Sequence, residues 1–149
     1  MELYMRILTG LLAVIVTTVT VSMTQSVFAA EVTVNAEARA FKPDIVYIQP
    51  GDTVGWINMT SHNSVSVEGV IPEGATPWQG QLGENFKVTL DKEGVYGYVC
   101  QPHIGFGMIG VIVVGQPTNL EAATKYVQEK YTGTPFARLL GKLKQVKAQ

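Results

Sequence analysis

Residues 95–114 read VYGYVCQPHIGFGMIGVIVV, and the predicted fold follows from this stretch. Its two ends, residues 95–99 and 108–114, are short runs rich in β-branched and aromatic residues, which are typical of strands. Pro102 and the glycines between the two runs interrupt any helix, so Cys100 to Met108 must form a tight loop that joins the strands. The sequence therefore predicts two consecutive strands with a chemically distinctive loop between them.

The same pattern of short predicted strands separated by turns continues toward the N-terminus as far as Glu31. Turn signals such as Gln49-Pro50-Gly51-Asp52 separate the runs, and several prolines and glycines make residues 68–84 a long irregular connection. Further strands are predicted at residues 32–34, 45–48, 53–58, 64–67 and 86–90. Six or more short strands separated by turns indicate an all-β fold, a two-sheet antiparallel sandwich over residues 30–116.

Residues 117–149 have a sequence pattern typical of helices instead. Asn119 can cap a helix that runs to about Tyr131, and Gly133 ends it. Thr134-Pro135 then opens a second helix, because proline is favoured at the first helical position. Helices this short are not stable alone in water, so we expect two C-terminal α-helices that pack on the sandwich. Their apolar faces are Leu120, Ala123, Val127 and Tyr131 in the first helix, and Phe136, Leu139, Leu140, Leu143 and Val146 in the second.

The first 29 residues have the features of an export signal. Arg6 precedes an apolar stretch over residues 7–21, and the small residues around Ala29 form a cleavage region. An uncleaved membrane anchor is the alternative, but the apolar run is shorter than the ~20 residues that a spanning helix needs. We therefore expect residues 1–29 to be removed, which leaves a periplasmic chain that begins at Ala30 and is not inserted in the membrane.

Composition and charge exclude several classes of protein. Hydrophobic residues make up 46% of the 149 residues and charged residues 15%, which excludes a disordered chain and a coiled coil. The net charge of -1 argues against a nucleic-acid partner. Residues 31–116 carry four basic and nine acidic residues, whereas residues 117–149 carry six basic and two acidic ones. We interpret the basic helices as a solvated face, with adsorption on an anionic membrane as the alternative.

The residues with the chemistry of a metal site are few. The chain has one cysteine and two histidines, and Met108 follows Cys100 and His103 in the loop. His62 comes shortly after the strand that contains Trp56, and a sandwich can bring that turn to the same end as the loop. A thiolate, a thioether and two imidazoles suit copper in both oxidation states, whereas zinc sites more often use Cys and His without Met. With all four positions filled by protein, the site indicates electron transfer rather than catalysis.

Two other interpretations of these residues remain. Cys100 alone would be an inert buried thiol, since one cysteine cannot form an internal disulfide. A cysteine–histidine nucleophile would be an enzyme, because either histidine could lower the pKa of the Cys100 thiol. That alternative leaves Met108 without a role and offers no third orienting group.

The loop resembles the copper loop of the cupredoxins, and its Cys-x-Pro-His-x-x-x-x-Met spacing resembles that of the pseudoazurin family. The similarity covers the whole predicted mature chain and includes His62-Asn63, residues 71–75 and the two C-terminal helices. It implies a Greek-key cupredoxin sandwich and a monomeric blue copper electron carrier that is not an enzyme. The implied ligands of one type 1 copper ion are His62, Cys100, His103 and Met108.

The resemblance also implies roles for residues around the ligands. Asn63 would tie the two ligand loops together and donate its backbone N–H to the Cys100 sulfur. Pro102 has no N–H, so a second donor to the sulfur would be missing, which tunes the reduction potential. Electrons would leave along His103 through an apolar docking patch of Ile104, Gly105 and Phe106. The implied partners are redox proteins such as copper nitrite reductase or c-type cytochromes.

The sequence departs from this family around the ligands. Family members surround the exposed histidine with lysines that steer them to acidic partners, whereas Thr60, Ser61, Gln79 and Gln81 occupy the neighbouring positions here. With no lysine near the ligands in sequence, we expect weak electrostatic steering. A copper-delivery protein without a fast redox partner is the alternative function. Delivery proteins usually expose flexible Met-rich or His-rich ligands, which are not present.

Overall fold

A computed structural model describes residues 29–148 as a sandwich of two four-stranded sheets with a helical extension. One sheet has the strand order β2-β1-β4-β6 and the other β3-β8-β7-β5. The strands are β1 (Glu31–Ala36), β2 (Phe41–Lys42), β3 (Ile45–Ile48), β4 (Thr53–Ile57), β5 (Val65–Ser66), β6 (Phe86–Thr89), β7 (Gly94–Val99) and β8 (Ile109–Val114). The predicted sandwich is confirmed, and the segment predicted as irregular contributes only an isolated bridge between Val65 and Gln79.

Two of the strand pairs are parallel, which the sequence did not indicate. β1 pairs with β4 and β3 with β8 in parallel register, while the other ladders are antiparallel. The chain passes to the opposite sheet between the members of each parallel pair, so they can meet in the same direction. This exchange between sheets is consistent with Greek-key connections. The two-residue strand β2 was also not predicted, because it is too short to show an alternating pattern.

β7 and β8 are buried along their whole length because both of their faces are covered. Tyr96, Tyr98 and Ile112 point between the two sheets, into a core that also contains Trp56 and Cys100. The alternate residues of the same strands face outward and meet the helices instead. This outer cluster includes Val95, Val99, Val111, Val113, Ala123, Val127, Leu139 and Leu143.

The C-terminal extension begins with α1 (Leu120–Lys130), and a 3₁₀ turn over Pro135–Arg138 leads into α2 (Leu139–Leu143). Asn119 stands at the start of α1 as predicted, but its side chain does not cap the helix. Its Oδ1 accepts the N–H of Val95 at 2.6 Å and its Nδ2 donates to the Val95 carbonyl at 3.1 Å. Asn119 therefore anchors the extension to the edge of β7.

The expected export signal lies outside the described residues, apart from Ala29. At the beginning of β1, the backbone N–H of Ala30 donates to Oδ1 of Asp52 at 2.7 Å, and the N–H of Gln49 donates to Oδ2 at 2.8 Å. These bonds tie the residue before β1 to the turn before β4. Among residues 29–148 there is no helix with the length and apolar character that a membrane crossing requires.

Candidate metal centre

Three of the four predicted ligand side chains converge at one end of the sandwich. The Nδ1 atoms of His62 and His103 lie 3.1 Å apart, and the Cys100 sulfur lies 3.5 Å from each of them. A point equidistant from these three atoms is about 2 Å from each, which is the length of a metal–nitrogen bond. The triangle therefore has the size of a metal's coordination plane.

Met108 belongs to the same end of the core. It is fully buried and packs in the same apolar cluster as Cys100. The backbone N–H of Cys100 donates to the Met108 carbonyl at 3.0 Å, which closes the loop between β7 and β8. The four predicted residues thus lie near one another, with one soft thiol, one thioether and two imidazoles, the donor set that suits copper.

The loop between β7 and β8 folds as a single 3₁₀ turn over Gln101–Phe106. Pro102 lies in the first positions of this turn, where a backbone N–H has no hydrogen-bond partner within the helix. Its missing N–H therefore costs no hydrogen bond. Gly107 ends the turn with φ +86°, a left-handed conformation that glycine adopts without a Cβ clash. Cys100, His103 and Met108 therefore occupy the start, middle and end of one short loop, whose backbone conformation is restricted by Pro102 and Gly107.

His62 is fixed from the other side of the site. It lies in the turn after β4, where its N–H donates to the Met59 carbonyl at 2.8 Å. The N–H of Gly83 donates to the His62 carbonyl at 3.0 Å and joins this turn to the irregular connection. His62 is buried, and burial, followed by the nearby His103, lowers the pKa of its imidazole. The lowered pKa favours the neutral imidazole, the form that binds a metal.

Asn63 links the two ligand segments through its side chain. Its Nδ2 donates to Oε1 of Gln101 at 2.7 Å, and its Oδ1 accepts the Gln101 N–H at 2.9 Å. Asn63 is buried, whereas Gln101 is exposed, so both bonds are partly buried. The reciprocal pair holds the His62 turn and the Cys100 loop at a fixed separation.

The Cys100 thiol is held in an environment that disfavours a free thiolate. Burial raises its pKa, and backbone hydrogen bonds from Asn63 and His103 partly offset the rise. The N–H of His103 also donates to the Cys100 carbonyl at 3.1 Å, next to Pro102, which has no N–H to offer the sulfur. A metal ion that binds this sulfur must displace its proton.

The two imidazoles differ in their access to solvent. His62 is buried, whereas His103 is half-buried and its ring faces Phe106 at a centroid distance of 6.2 Å. Of the predicted docking residues, Phe106 is 57% exposed, Gly105 is exposed and Ile104 is half-buried. Leu82 is also exposed, at 61%, and precedes Gly83, whose N–H donates to the His62 carbonyl. Sequence reasoning missed Leu82, since its connection has no regular pattern.

Cationic side chains flank the loop although no lysine is near it in sequence. The Arg39 guanidinium lies over the Phe106 ring, 4.1 Å from its centroid. Arg138 donates from Nη1 to the Gly105 carbonyl at 2.9 Å. Arg39 comes from the connection between β1 and β2 and Arg138 from the C-terminal extension, so only the folded chain places both charges at the loop.

Comparisons with known proteins agree with this geometry. The family of copper-binding proteins described as the plastocyanin/azurin family matches residues 28–115. Pseudoazurin from Paracoccus pantotrophus is 36% identical over 88 residues, 58% of this chain and 61% of the relative. The chain spans about three fifths of the length of the curated relatives it matches.

Solved structures extend the similarity to the fold. A pseudoazurin from Sinorhizobium is 42% identical with a TM-score of 0.61, and the match covers 74% of this chain and 96% of that chain. The native pseudoazurin from Hyphomicrobium denitrificans is 34% identical with a TM-score of 0.68, and the match covers 78% of this chain and 98% of that chain. The predicted resemblance and the predicted fold class are both confirmed.

Proposed function

The chain belongs to the plastocyanin/azurin family of copper-binding proteins, and we propose that it is a mobile one-electron carrier rather than an enzyme. The observation that supports this proposal is a difference in burial among the four candidate ligands: three are buried, whereas one imidazole is accessible. Cys100, His62 and Met108 are buried, whereas His103 is half-buried beneath an exposed apolar face. Such a site leaves no position for a substrate but allows another protein to approach one ligand closely.

We infer that His62, Cys100, His103 and Met108 would hold the copper ion, because two imidazoles, a thiolate and a thioether suit this metal in both oxidation states. Copper supplies a one-electron couple between Cu(I) and Cu(II). The protein keeps the donors in one arrangement, because the 3₁₀ turn and the Asn63–Gln101 pair restrict both ligand segments. A fixed arrangement disfavours the changes in geometry that would otherwise slow electron transfer.

The exposed surface around His103 supports an exchange route through its ring edge. Phe106 lies beside the His103 ring and is 57% exposed, which gives a partner protein apolar surface to cover and desolvate next to this ligand. Its partners are redox proteins, with copper nitrite reductase and c-type cytochromes as the candidates to test. We further propose that residues 1–29 are removed on export and that the mature monomer acts in the periplasm.

Reconstitution with Cu(II) tests the function directly. A thiolate–copper bond is expected to give an intense visible absorption at one copper per chain, bleached by ascorbate and restored by ferricyanide. Stopped-flow mixing of the reduced protein with an oxidised c-type cytochrome is then expected to show rapid electron exchange without loss of copper. Colourless or weakly coloured binding would contradict the ligand set, and transfer of the copper itself would favour a delivery protein.

A further inference from the structure

The 3₁₀ turn that contains His103 is held from outside by one side chain of the C-terminal extension. Nη1 of Arg138 donates to the Gly105 carbonyl at 2.9 Å. The same nitrogen lies 2.9 Å from the position that a Cβ on Gly107 would occupy, so the guanidinium spans the end of the turn. The last carbonyls of a helix lack partners within it, and a cation that binds one of them stabilises that end.

The exposed Arg138 is positioned by its neighbours in the chain. It ends the 3₁₀ turn Pro135–Arg138 and is followed directly by the fully buried Leu139. Phe136 of that turn and Ile104 of the metal-loop turn pack against the same apolar cluster. The two turns therefore meet through apolar packing and through one charge-assisted hydrogen bond.

We propose that Arg138 is a positioning residue of the metal centre, which couples the C-terminal extension to the loop that carries His103 and Met108. Gly105 lies two residues after His103 and three before Met108, so a fixed Gly105 carbonyl restricts both. The N–H of Gly107 donates to the Ile104 carbonyl at 2.9 Å and that of Met108 to the His103 carbonyl at 3.3 Å. These two bonds must break when the turn opens. The effect on copper rests on the proposed function, whereas the effect on the loop does not.

Hydrogen exchange in the metal-free protein, followed by NMR, tests the coupling. In Arg138→Gln, the amides of Gly107 and Met108 are expected to exchange roughly fivefold faster than in the wild type, as for the loss of one net hydrogen bond. Lys144→Gln is the matched control, since it removes the same charge from an exposed position of the same extension. Arg138→Lys keeps the positive charge and a hydrogen-bond donor but loses the planar guanidinium group. An exchange rate between those of the wild type and Arg138→Gln is therefore expected. Unchanged exchange in the β7–β8 ladder would show that each variant is folded.

The copper-loaded protein provides a second readout. Copper loss to a chelator is expected to be severalfold faster in Arg138→Gln than in Lys144→Gln, because the His103 turn opens more often. The proposal would be overturned if the amides of Gly107 and Met108 exchanged at the same rate in Arg138→Gln as in the wild type. It would also be overturned if Arg138→Gln and Lys144→Gln changed these exchange rates equally. A wild-type protein that forms no thiolate–copper bond would refute the proposed function instead, and the exchange rates would still decide the role of Arg138.

Discussion

The Nδ1 atoms of His62 and His103 lie 3.1 Å apart, although 41 positions separate the two residues in the chain. His62 follows a strand of one sheet, and His103 lies in the turn that leads from β7 to β8 of the other. An ion bound to both imidazoles therefore links the two sheets at one end of the sandwich. Because the unfolded chain does not hold these donors together, copper is expected to stabilise the folded state.

Replacement of Cys100 by serine tests the assignment of the thiolate ligand. Cys100→Ser is expected to abolish the intense visible absorption, because the band requires charge transfer from a thiolate to copper. The fold should persist, since the core is built by the strands. Absorption spectroscopy after Cu(II) addition, with circular dichroism as the folding control, provides the measurement. Intense colour in Cys100→Ser would refute the assignment.

Replacement of Met108 by glutamine tests the assignment of Met108 as a copper ligand. A thioether favours Cu(I), so the harder amide oxygen in Met108→Gln is expected to lower the reduction potential while copper is retained. Cyclic voltammetry at one pH and ionic strength compares the two proteins. An unchanged potential would show that Met108 does not contact the copper.

Asn63 is expected to contribute to stability as well as to the geometry of the site. Asn63→Ala removes both bonds to Gln101, which should lower the free energy of unfolding by about 1–3 kcal/mol. Gln101→Ala is the control, since it removes the side-chain acceptor but keeps the backbone N–H that bonds Asn63. Urea denaturation of the metal-free proteins measures both effects. A loss in Gln101→Ala as large as that in Asn63→Ala would contradict a role for the backbone bond.

The ligand loop was predictable from sequence because its chemistry is concentrated in nine consecutive residues. Cys100, His103 and Met108 lie within one loop, and only His62 comes from another part of the sequence. The arginines at the loop were not predictable, since 33 positions separate Arg138 from Gly105 and tertiary packing alone joins them. The parallel pairing of β3 with β8 could not be predicted from sequence for the same reason. Alternating patterns identify strands, but they do not identify the neighbours of a strand.

The arginines change the expected salt dependence of electron exchange. Sequence alone indicated weak steering, but Arg39 lies over Phe106 on the docking face. The rate with an acidic partner is therefore expected to fall as ionic strength rises, and Arg39→Gln should lower the rate at low salt and flatten this dependence. Lys125→Gln, on α1 where Lys125 pairs with Glu129, is the control for net charge. Identical salt profiles for the wild type and Arg39→Gln, measured by stopped flow, would exclude Arg39 from docking.

Asp52 is expected to make the stability of the protein depend on pH in acid. Hydrogen bonds from the backbone N–H of Gln49 and then from the Ala30 nitrogen lower the pKa of its carboxyl below the ordinary 3.8. The folded state binds this proton less readily than the unfolded state, so the contribution of Asp52 is complete above about pH 4 and is lost as the pH falls through the lowered pKa. The difference in unfolding free energy between the wild type and Asp52→Asn should therefore be constant at neutral pH and shrink below pH 4. Urea titrations across this range measure it, and a difference that stays constant down to pH 2 would show that the carboxylate charge contributes nothing.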